Sequence, residues 1–440
     1  CEIDNARKLM NEVFGEENFI DTIIWKKRYG GGAKEKYLIS LHEYVLVYAK
    51  NESLLENLYI PLSKESIDRY YKLKDKNFSQ RGPYRTHPLE ATKSMGERKN
   101  LVFSIPAPDG SMVNPQRQWL WGKERVDEAL RNDELEFIKG KNGIWSIHTK
   151  QYLKEENGDI RQGKPFSIID DVFTQHGTNE IIDLFGNAQI FSFPKPTKFL
   201  NYLINIGLDD GDVILDFFSG SCATAHSVLE LNFGERGKRK FIMVQLPEPT
   251  DENSEAFKAG YKNIAEIGKD RIRLVIKKIQ EELEEEKRKD KEKIQFEPEA
   301  ERDIDLGFKV FKLDRSNFKI WDGDVEKKPI EEQLQLNIHR IDPNSTEEDL
   351  LYEILLKSGF QPTVPVKKII IEKKTVYSVA DDALLICLEN ELSKEVIKAI
   401  AEKQPVRACF LDDGFRGNDQ LKTNAVQIMK SHDVKEFRTV

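Results

Sequence analysis

The stretch VILDFFSGSCATAHSVLELN, residues 213–232, constrains the fold more than any other part of the chain. It begins with an apolar run, interrupted by Asp216, that predicts a strand buried on both faces. Small residues follow, and the stretch ends with the spacing of a helix. A helical pattern at 197–207 precedes it, and the apolar run KFIMVQL at 240–246 predicts a second buried strand. The order helix, strand, loop, helix, strand predicts a parallel α/β sheet.

The small residues of this stretch, Ser219, Gly220 and Ser221, indicate a ligand site. In parallel α/β sheets ligands bind at the carboxyl ends of strands, where small residues let the backbone approach closely. Asp216 supports this interpretation, because a carboxylate inside an apolar strand needs donors from a ligand ammonium or from neighbouring backbone amides. A turn that merely connects two elements is the alternative.

Composition bounds the class of protein. A chain of 440 residues predicts two or three structural units, and 39% hydrophobic with 33% charged residues is typical of globular proteins. No stretch approaches the roughly 18–20 apolar residues of a membrane span. The cysteines Cys1, Cys222, Cys387 and Cys409 are scattered without a CxxC pair, which argues against a zinc site and a disulfide framework. We expect a cytoplasmic protein without a metal or a membrane partner.

A basic, glycine-rich stretch, WKKRYGGGAKEKY at 25–37, stands out against the net charge of −8. Its cations suit phosphate contacts, and a solvated hairpin is an equally good interpretation. The residues concerned are Lys26, Lys27, Arg28, Lys34 and Lys36. Residues 52–175 show no long periodic helix and mix tryptophans and arginines among turns. Such a region can read bases, or its aromatic residues can form a core.

The loop region resembles motif I of S-adenosylmethionine-dependent DNA amino-methyltransferases, whose usual form is D-x-F-x-G-S-G-T-T-A-H. Further phrases, spread in order over nearly the whole chain, are similar to the modification (Mod) subunits of Type III restriction-modification systems. They are FGEENFIDTIIWKK, HEYVLVYAKN, RQWLWGKERVDE, FPKPTKFL, RKFIMVQLPEPTDENSEAFKAGYKNIAEIGKDRIR and DDGFRGNDQLKTNAVQ. The resemblance implies a site-specific adenine-N6 DNA methyltransferase subunit that uses S-adenosyl-L-methionine.

Carried over residue by residue, the resemblance implies a cofactor pocket. Its residues would be Asp216, Ser219, Gly220, Ser221, Thr224, Lys195, Pro196, Lys198 and Gln245. Lys195, Pro196 and Lys198 match the family's K-P-x-K, just before the helix that closes the pocket. Gln245 stands where many methyltransferases carry an acid that accepts hydrogen bonds from the ribose. His226 follows the family pattern too, either as a ligand contact or as a packed helix residue.

Two departures from the family qualify this expectation. Cys222 and Ala223 replace the family's glycine and threonine, and a cysteine at positive φ costs roughly 1 kcal/mol of strain. The catalytic tetrapeptide D-P-P-Y, or a relative of it, does not occur in the sequence. We therefore expect the C-terminal part of a Mod subunit, with an incomplete sheet, no catalytic residue of its own and no activity when alone.

The implied fold class is α/β, a Rossmann-like methyltransferase sheet with an inserted target-recognition domain and a C-terminal α/β region. The expected segments are 1–51 (methyltransferase core), 52–175 (target recognition), 176–280 (cofactor-binding part of the core), 281–302 (charged helix or linker) and 303–440 (dimerisation and partner region). The implied partners are double-stranded DNA, the restriction (Res) subunit and a second Mod copy. The alternative is a non-catalytic DNA- and Res-binding remnant, or one half of a split methyltransferase.

Overall fold

The chain is a mixed α/β protein that divides into two units, Cys1–Leu306 and Gly307–Val440. The computed structural model describes residues 2–31, 36–91, 96, 98–292, 304–318 and 341–440. Cys1, Lys34 and the later part of the linker expected at 281–302 therefore lie outside the described residues. None of the helices in these ranges combines the length and the apolar character that a membrane span requires.

The first unit combines helices with strands of two to eight residues. Its helices are α1 (Ile3–Phe14), α2 (Lys64–Tyr70), α3 (Phe78–Arg81), α4 (Lys123–Arg131), α5 (Thr174–Phe185), α6 (Thr197–Gly207), α7 (Ala223–Glu235), α8 (Glu255–Lys258) and α9 (Ile264–Glu292). Its strands are β1 (Phe19–Lys26), β2 (His42–Tyr48), β3 (Ile60–Pro61), β4 (Tyr84–Pro88), β5 (Ile105–Pro106), β6 (Met112–Val113), β7 (Leu135–Lys139), β8 (Trp145–Tyr152), β9 (Gln162–Gly163), β10 (Ile168–Ile169), β11 (Val213–Asp216) and β12 (Lys240–Met243).

Strand β1 is the centre of a three-stranded sheet in the order β10-β1-β2. Its side chains alternate, so Ile23 and Trp25 are buried while Ile24 between them is exposed. The Trp25 ring stacks on Phe199 of α6 with centroids 4.3 Å apart, and its indole N–H donates to the Val172 carbonyl at 2.6 Å. This packing fixes helix α6, and with it the K-P-x-K segment, against the sheet.

Residues 84–152 form a separate antiparallel sheet, β4-β8-β7, whose core includes residues of α4. Trp119 is almost fully buried in that core and donates its indole N–H to the Phe103 carbonyl at 2.8 Å. Trp145 is half-buried and donates to Asp109 Oδ2 at 2.8 Å. Of the two interpretations of the aromatic residues here, the core interpretation therefore holds for Trp119.

Strands β11 and β12 pair in parallel, and the chain order α6, β11, α7, β12 confirms the predicted order of elements. The prediction that both strands are buried on both faces is wrong. One face packs on α6 and α7 through Ile214 and Phe241, whereas Leu215 and Ile242 on the other are 57% and 52% exposed. In the described part of the chain β11 pairs with β12 alone, so only the helices on one side cover it.

The second unit is a five-stranded sheet in sequential order with helices on both faces. Its strands are β13 (Val366–Ile371), β14 (Lys374–Val379), β15 (Leu384–Cys387), β16 (Arg407–Phe410) and β17 (Glu436–Thr439). Its helices are α10 (Glu347–Lys357), α11 (Lys394–Glu402) and α12 (Asp419–Ser431). The first three strands are antiparallel, and β15, β16 and β17 are parallel.

Alternation along β15 gives this sheet two cores. Leu385 and Cys387 pack with residues of α11 and α12, and Leu384 and Ile386 pack with residues of α10. Helices on both faces explain why all four β15 side chains are buried.

Candidate cofactor-binding site

Asp216, the last residue of β11, is held in place by its own chain. Its Oδ1 accepts a hydrogen bond from the Phe218 amide at 3.2 Å, and its Oδ2 accepts one from the Thr224 hydroxyl, in the first turn of α7, at 2.6 Å. A carboxylate offers about four acceptor positions, so these two donors leave capacity for a ligand. The sequence predicted donors from a ligand ammonium or from neighbouring backbone amides. The structure contains one such amide, that of Phe218, and adds the hydroxyl of Thr224.

The loop after β11 is fastened to the end of β12. The Ser219 amide and hydroxyl donate to the Val244 carbonyl at 3.1 and 3.2 Å. The Gly220 amide donates to Gln245 Oε1 at 2.7 Å. Gln245, expected to face a ribose, therefore uses one acceptor position of its side chain on the loop.

Gly220 and the residues before α6 lie close together. A Cβ added at Gly220 would stand 3.3 Å from Cζ of Phe191, and the φ of Gly220 is +51°. A side chain at position 220 would therefore be strained and crowded. This close approach brings the loop to the chain segment that leads into Lys195 and Pro196.

Cys222 adopts φ +57°, as expected if the family's glycine has a positive φ. Its amide donates to the Ser219 carbonyl at 2.7 Å, which closes a turn ahead of α7. Its side chain is buried against α9, where a Cβ added at Gly268 would lie 2.6 Å from Cys222 Sγ. Burial raises the pKa of the Cys222 thiol, which disfavours the thiolate that a nucleophile requires.

The lysines of the K-P-x-K segment are engaged in ion pairs. Lys198 Nζ lies 2.7 Å from Asp171 Oδ2, and Lys195 Nζ lies 2.9 Å from Glu43 Oε2. Pro196 is buried and is the N-cap residue of α6. Its φ of −66° suits the start of a helix.

Glu43 also binds Lys27 of the basic stretch, with Lys27 Nζ 2.8 Å from Glu43 Oε1. Burial acts to raise the pKa of Glu43, but hydrogen bonds from Lys27 and Lys195 outweigh it and hold the pKa below its usual value. The structure thus joins two lysines that the sequence analysis assigned to different sites. Lys26 is half-buried at the end of β1, and Arg28 and Lys36 are exposed.

A buried polar cluster centred on Arg271 of α9 lies behind the loop, and sequence analysis missed it. The Arg271 side chain is fully buried. It donates to Ser221 Oγ at 2.9 Å, to Glu180 Oε2 at 2.8 Å and to His226 Nδ1 at 3.1 Å. One signal in the sequence pointed to it, because Arg271 is four residues from both Ile267 and Val275 on the apolar face of α9.

His226 has a protein partner on each ring nitrogen. A guanidinium can only donate, so His226 Nδ1 accepts from Arg271 and a neutral ring carries its proton on Nε2. That nitrogen lies 3.0 Å from Glu230 Oε1. The geometry favours the packed helix residue over the ligand contact.

An apolar groove of about 300 Å³ runs between α6 and β11. Leu200, Leu203 and Leu215 are among its lining residues, and Asp216 and Thr224 belong to the lining as well. Such a groove can receive an apolar group, while the carboxylate beside it can receive a cation.

Comparisons with known proteins identify the family and several relatives of this chain. The profile of the N6/N4 DNA methylase family matches residues 2–246. The Type III restriction-modification enzyme StyLTI Mod subunit of Salmonella typhimurium is 32% identical over 63% of this chain and 41% of its own length. The Type III restriction-modification enzyme EcoP15I Mod subunit of Escherichia coli is 26% identical over 99% of this chain and 67% of its own length.

A Type II methyltransferase, M.KpnI of Klebsiella pneumoniae, is 30% identical over 62% of this chain and 67% of its own length. The chain spans less than half of the length of the StyLTI Mod subunit. The family match takes in more than half of the chain, and the chain therefore belongs to the DNA methylase family.

Proposed function

We propose that this chain is part of a Type III Mod subunit, a site-specific adenine-N6 DNA methyltransferase that uses S-adenosyl-L-methionine. The family match and the similarity to Mod subunits support the reaction class. The observation that carries the cofactor assignment is the loop after β11. There, an anchored carboxylate and a crowded glycine lie at the carboxyl end of a parallel strand.

The residues present fit this cofactor. Asp216 keeps acceptor capacity for an ammonium group, and Gly220 exposes its backbone where a Cβ would meet Phe191. The cofactor, when bound, would supply a methyl group activated on a sulfonium. The proposed binding residues are Asp216, Ser219, Gly220, Ser221, Thr224, Lys195, Pro196, Lys198 and Gln245.

Individual roles differ within this set. The Ser221 hydroxyl is engaged by Arg271, so Ser221 would serve the cofactor through its backbone. Lys195 and Lys198 are each paired with a carboxylate, which favours a role in shaping the segment over direct charge contact.

The DNA proposal rests on the basic stretch. Arg28 and Lys36 are the more available cations because Lys27 shares Glu43 with Lys195. We further propose a Rossmann-like core, an inserted recognition domain at 52–175, and a surface on 303–440 for a second Mod copy and the Res subunit. A protein that modifies DNA in this way would act in the cytoplasm.

The experiment that tests the cofactor site replaces Asp216 by alanine. Asp216→Ala should abolish S-adenosylmethionine binding in calorimetry and leave the circular dichroism spectrum intact, because the ammonium group loses its acceptor. Asp183→Ala, on the exposed side of α5, is the matched control and should bind as the unchanged chain does. Normal binding by Asp216→Ala would remove this residue from the site, and no binding by the unchanged chain would contradict the cofactor proposal.

A further inference from the structure

Arg271 carries a positive charge on a fully buried side chain. Taking a guanidinium out of water costs several kcal/mol unless partners compensate for the lost hydration. Leucine or methionine at this place on the apolar face of α9 would avoid that cost. Stability therefore does not explain why a charged residue occupies this buried position.

The partners of Arg271 join two segments of the proposed cofactor site. One arm of the guanidinium donates to Ser221 Oγ in the loop after β11, at 2.9 Å. The other donates to Glu180 Oε2 at 2.8 Å. Glu180 Oε1 in turn accepts from the Thr197 amide at 2.8 Å and the Thr197 hydroxyl at 3.0 Å.

Each of these residues bonds to the next, so the bonds form one continuous path. Its last member, Thr197, directly follows Pro196 and begins α6. The path runs from Ser221 through Arg271 and Glu180 to Thr197.

Helix α5, which carries Glu180, also contacts the same segment one turn earlier. A Cβ added at Gly177 would stand 2.4 Å from the Pro194 carbonyl oxygen. Helix α5 therefore touches the backbone just before Lys195 and caps the first turn of α6 just after Pro196. Residues 194–197 are thus held at both ends by one helix.

We infer that Arg271 and Glu180 are positioning residues that hold the loop at Ser221 and the segment at Thr197 in the spacing required to bind S-adenosylmethionine. This inference rests on the proposed function. Arginine is suited to the task because its planar fork reaches two acceptors at fixed geometry, whereas the single ammonium of lysine cannot span both. The pair acts through the residues that it positions and does not itself contact the cofactor.

The test compares the cofactor affinities of matched variants of the full chain. Arg271→Lys keeps the positive charge beside Glu180 but breaks the path, so S-adenosylmethionine affinity in calorimetry should fall about tenfold. Arg273→Lys makes the same change at an exposed position of α9 and should bind as the unchanged chain does. Equal affinities of Arg271→Lys and Arg273→Lys would overturn the inference.

A second variant changes Thr197, at the other end of the path. Thr197→Val removes the hydroxyl bond to Glu180 and should weaken S-adenosylmethionine binding about threefold alone, but less than about twofold in the Arg271→Lys background. Fully additive effects would mean that the two residues act independently, which overturns the path. If Arg271→Lys fails to fold, Glu180→Gln replaces it in the double-mutant cycle, because glutamine exchanges one of the two accepting oxygens of Glu180 for an NH2 group that only donates. Failure of the unchanged chain to bind would instead contradict the proposed function.

Discussion

Strands β11 and β15 are alike in sequence and differ in burial. Both are four-residue strands with a parallel partner, VILD with β12 and LLIC with β16. All four side chains of β15 are buried, whereas residues of β11 alternate between exposed and half-buried. The difference lies in the neighbours, since β15 is the middle strand of five between two layers of helices. The apolar sequence of a strand indicates that the segment can be buried. The elements that pack against the strand determine whether its side chains are buried in the fold.

The largest expected effect tests this contrast directly. Ile386→Ala in β15 should lower the free energy of unfolding by about 3 kcal/mol, because it opens a cavity in a fully packed core. Leu215→Ala in β11 should cost less than about 1 kcal/mol, because more than half of Leu215 is already exposed. Urea denaturation with hydrogen exchange resolved for each strand measures both. Comparable losses would show that β11 is covered in solution.

A second prediction sharpens the contrast within the first unit, where the loop after β11 is tightly packed although the strand is not. Gly268→Ala should cost about 2 kcal/mol, because its Cβ would collide with Cys222 Sγ. Gly234→Ala in α7, which meets no neighbouring atom, should instead stabilise by up to about 1 kcal/mol. Thermal unfolding of both variants, and of Gly268→Ala in a Cys222→Gly background, measures the clash. A cost that persists without the cysteine would refute it.

The smallest expected effect concerns alkaline pH and the second unit. Burial raises the pKa of Cys409 from its usual value near 9 to about 12. A raised folded-state pKa contributes stability that is complete below about pH 9 and is lost as pH rises towards 12. At pH 10 the loss should be roughly 1 kcal/mol. Melting curves at pH 8 and pH 10 should differ less for Cys409→Ala than for the unchanged chain, and an equal difference would exclude this thiol as the cause.

Local pattern was enough to predict the elements around the site. The spacing at 197–207 predicted helix α6, and comparison with a glycine-containing motif anticipated the positive φ of Cys222. Helical spacing and the backbone conformation of a single residue both depend on short segments of the chain. The exposure of Leu215 escaped prediction because it depends on which strands lie beside β11, which no local pattern encodes.

Contacts distant in sequence account for the rest of what was missed. The charge of Arg271 on an apolar face was visible, but its partner Glu180 is 91 residues away. Glu43, which binds both Lys27 and Lys195, is 152 residues from the second of them. Glu180 lies outside the phrases that resemble Mod subunits, and the phrase HEYVLVYAKN, which contains Glu43, does not reveal which lysines that carboxylate binds.

The contact between Cys222 and Gly268 limits the order in which this site can change. While position 222 carries cysteine, alanine at 268 is disfavoured because its Cβ would lie 2.6 Å from Cys222 Sγ, although alanine would otherwise favour a helix. Once position 222 becomes glycine, alanine at 268 is permitted, and a later return to cysteine is then blocked in its turn. Cysteine at 222 and alanine at 268 therefore exclude each other, and a chain can exchange one for the other only by passing through glycine at both positions.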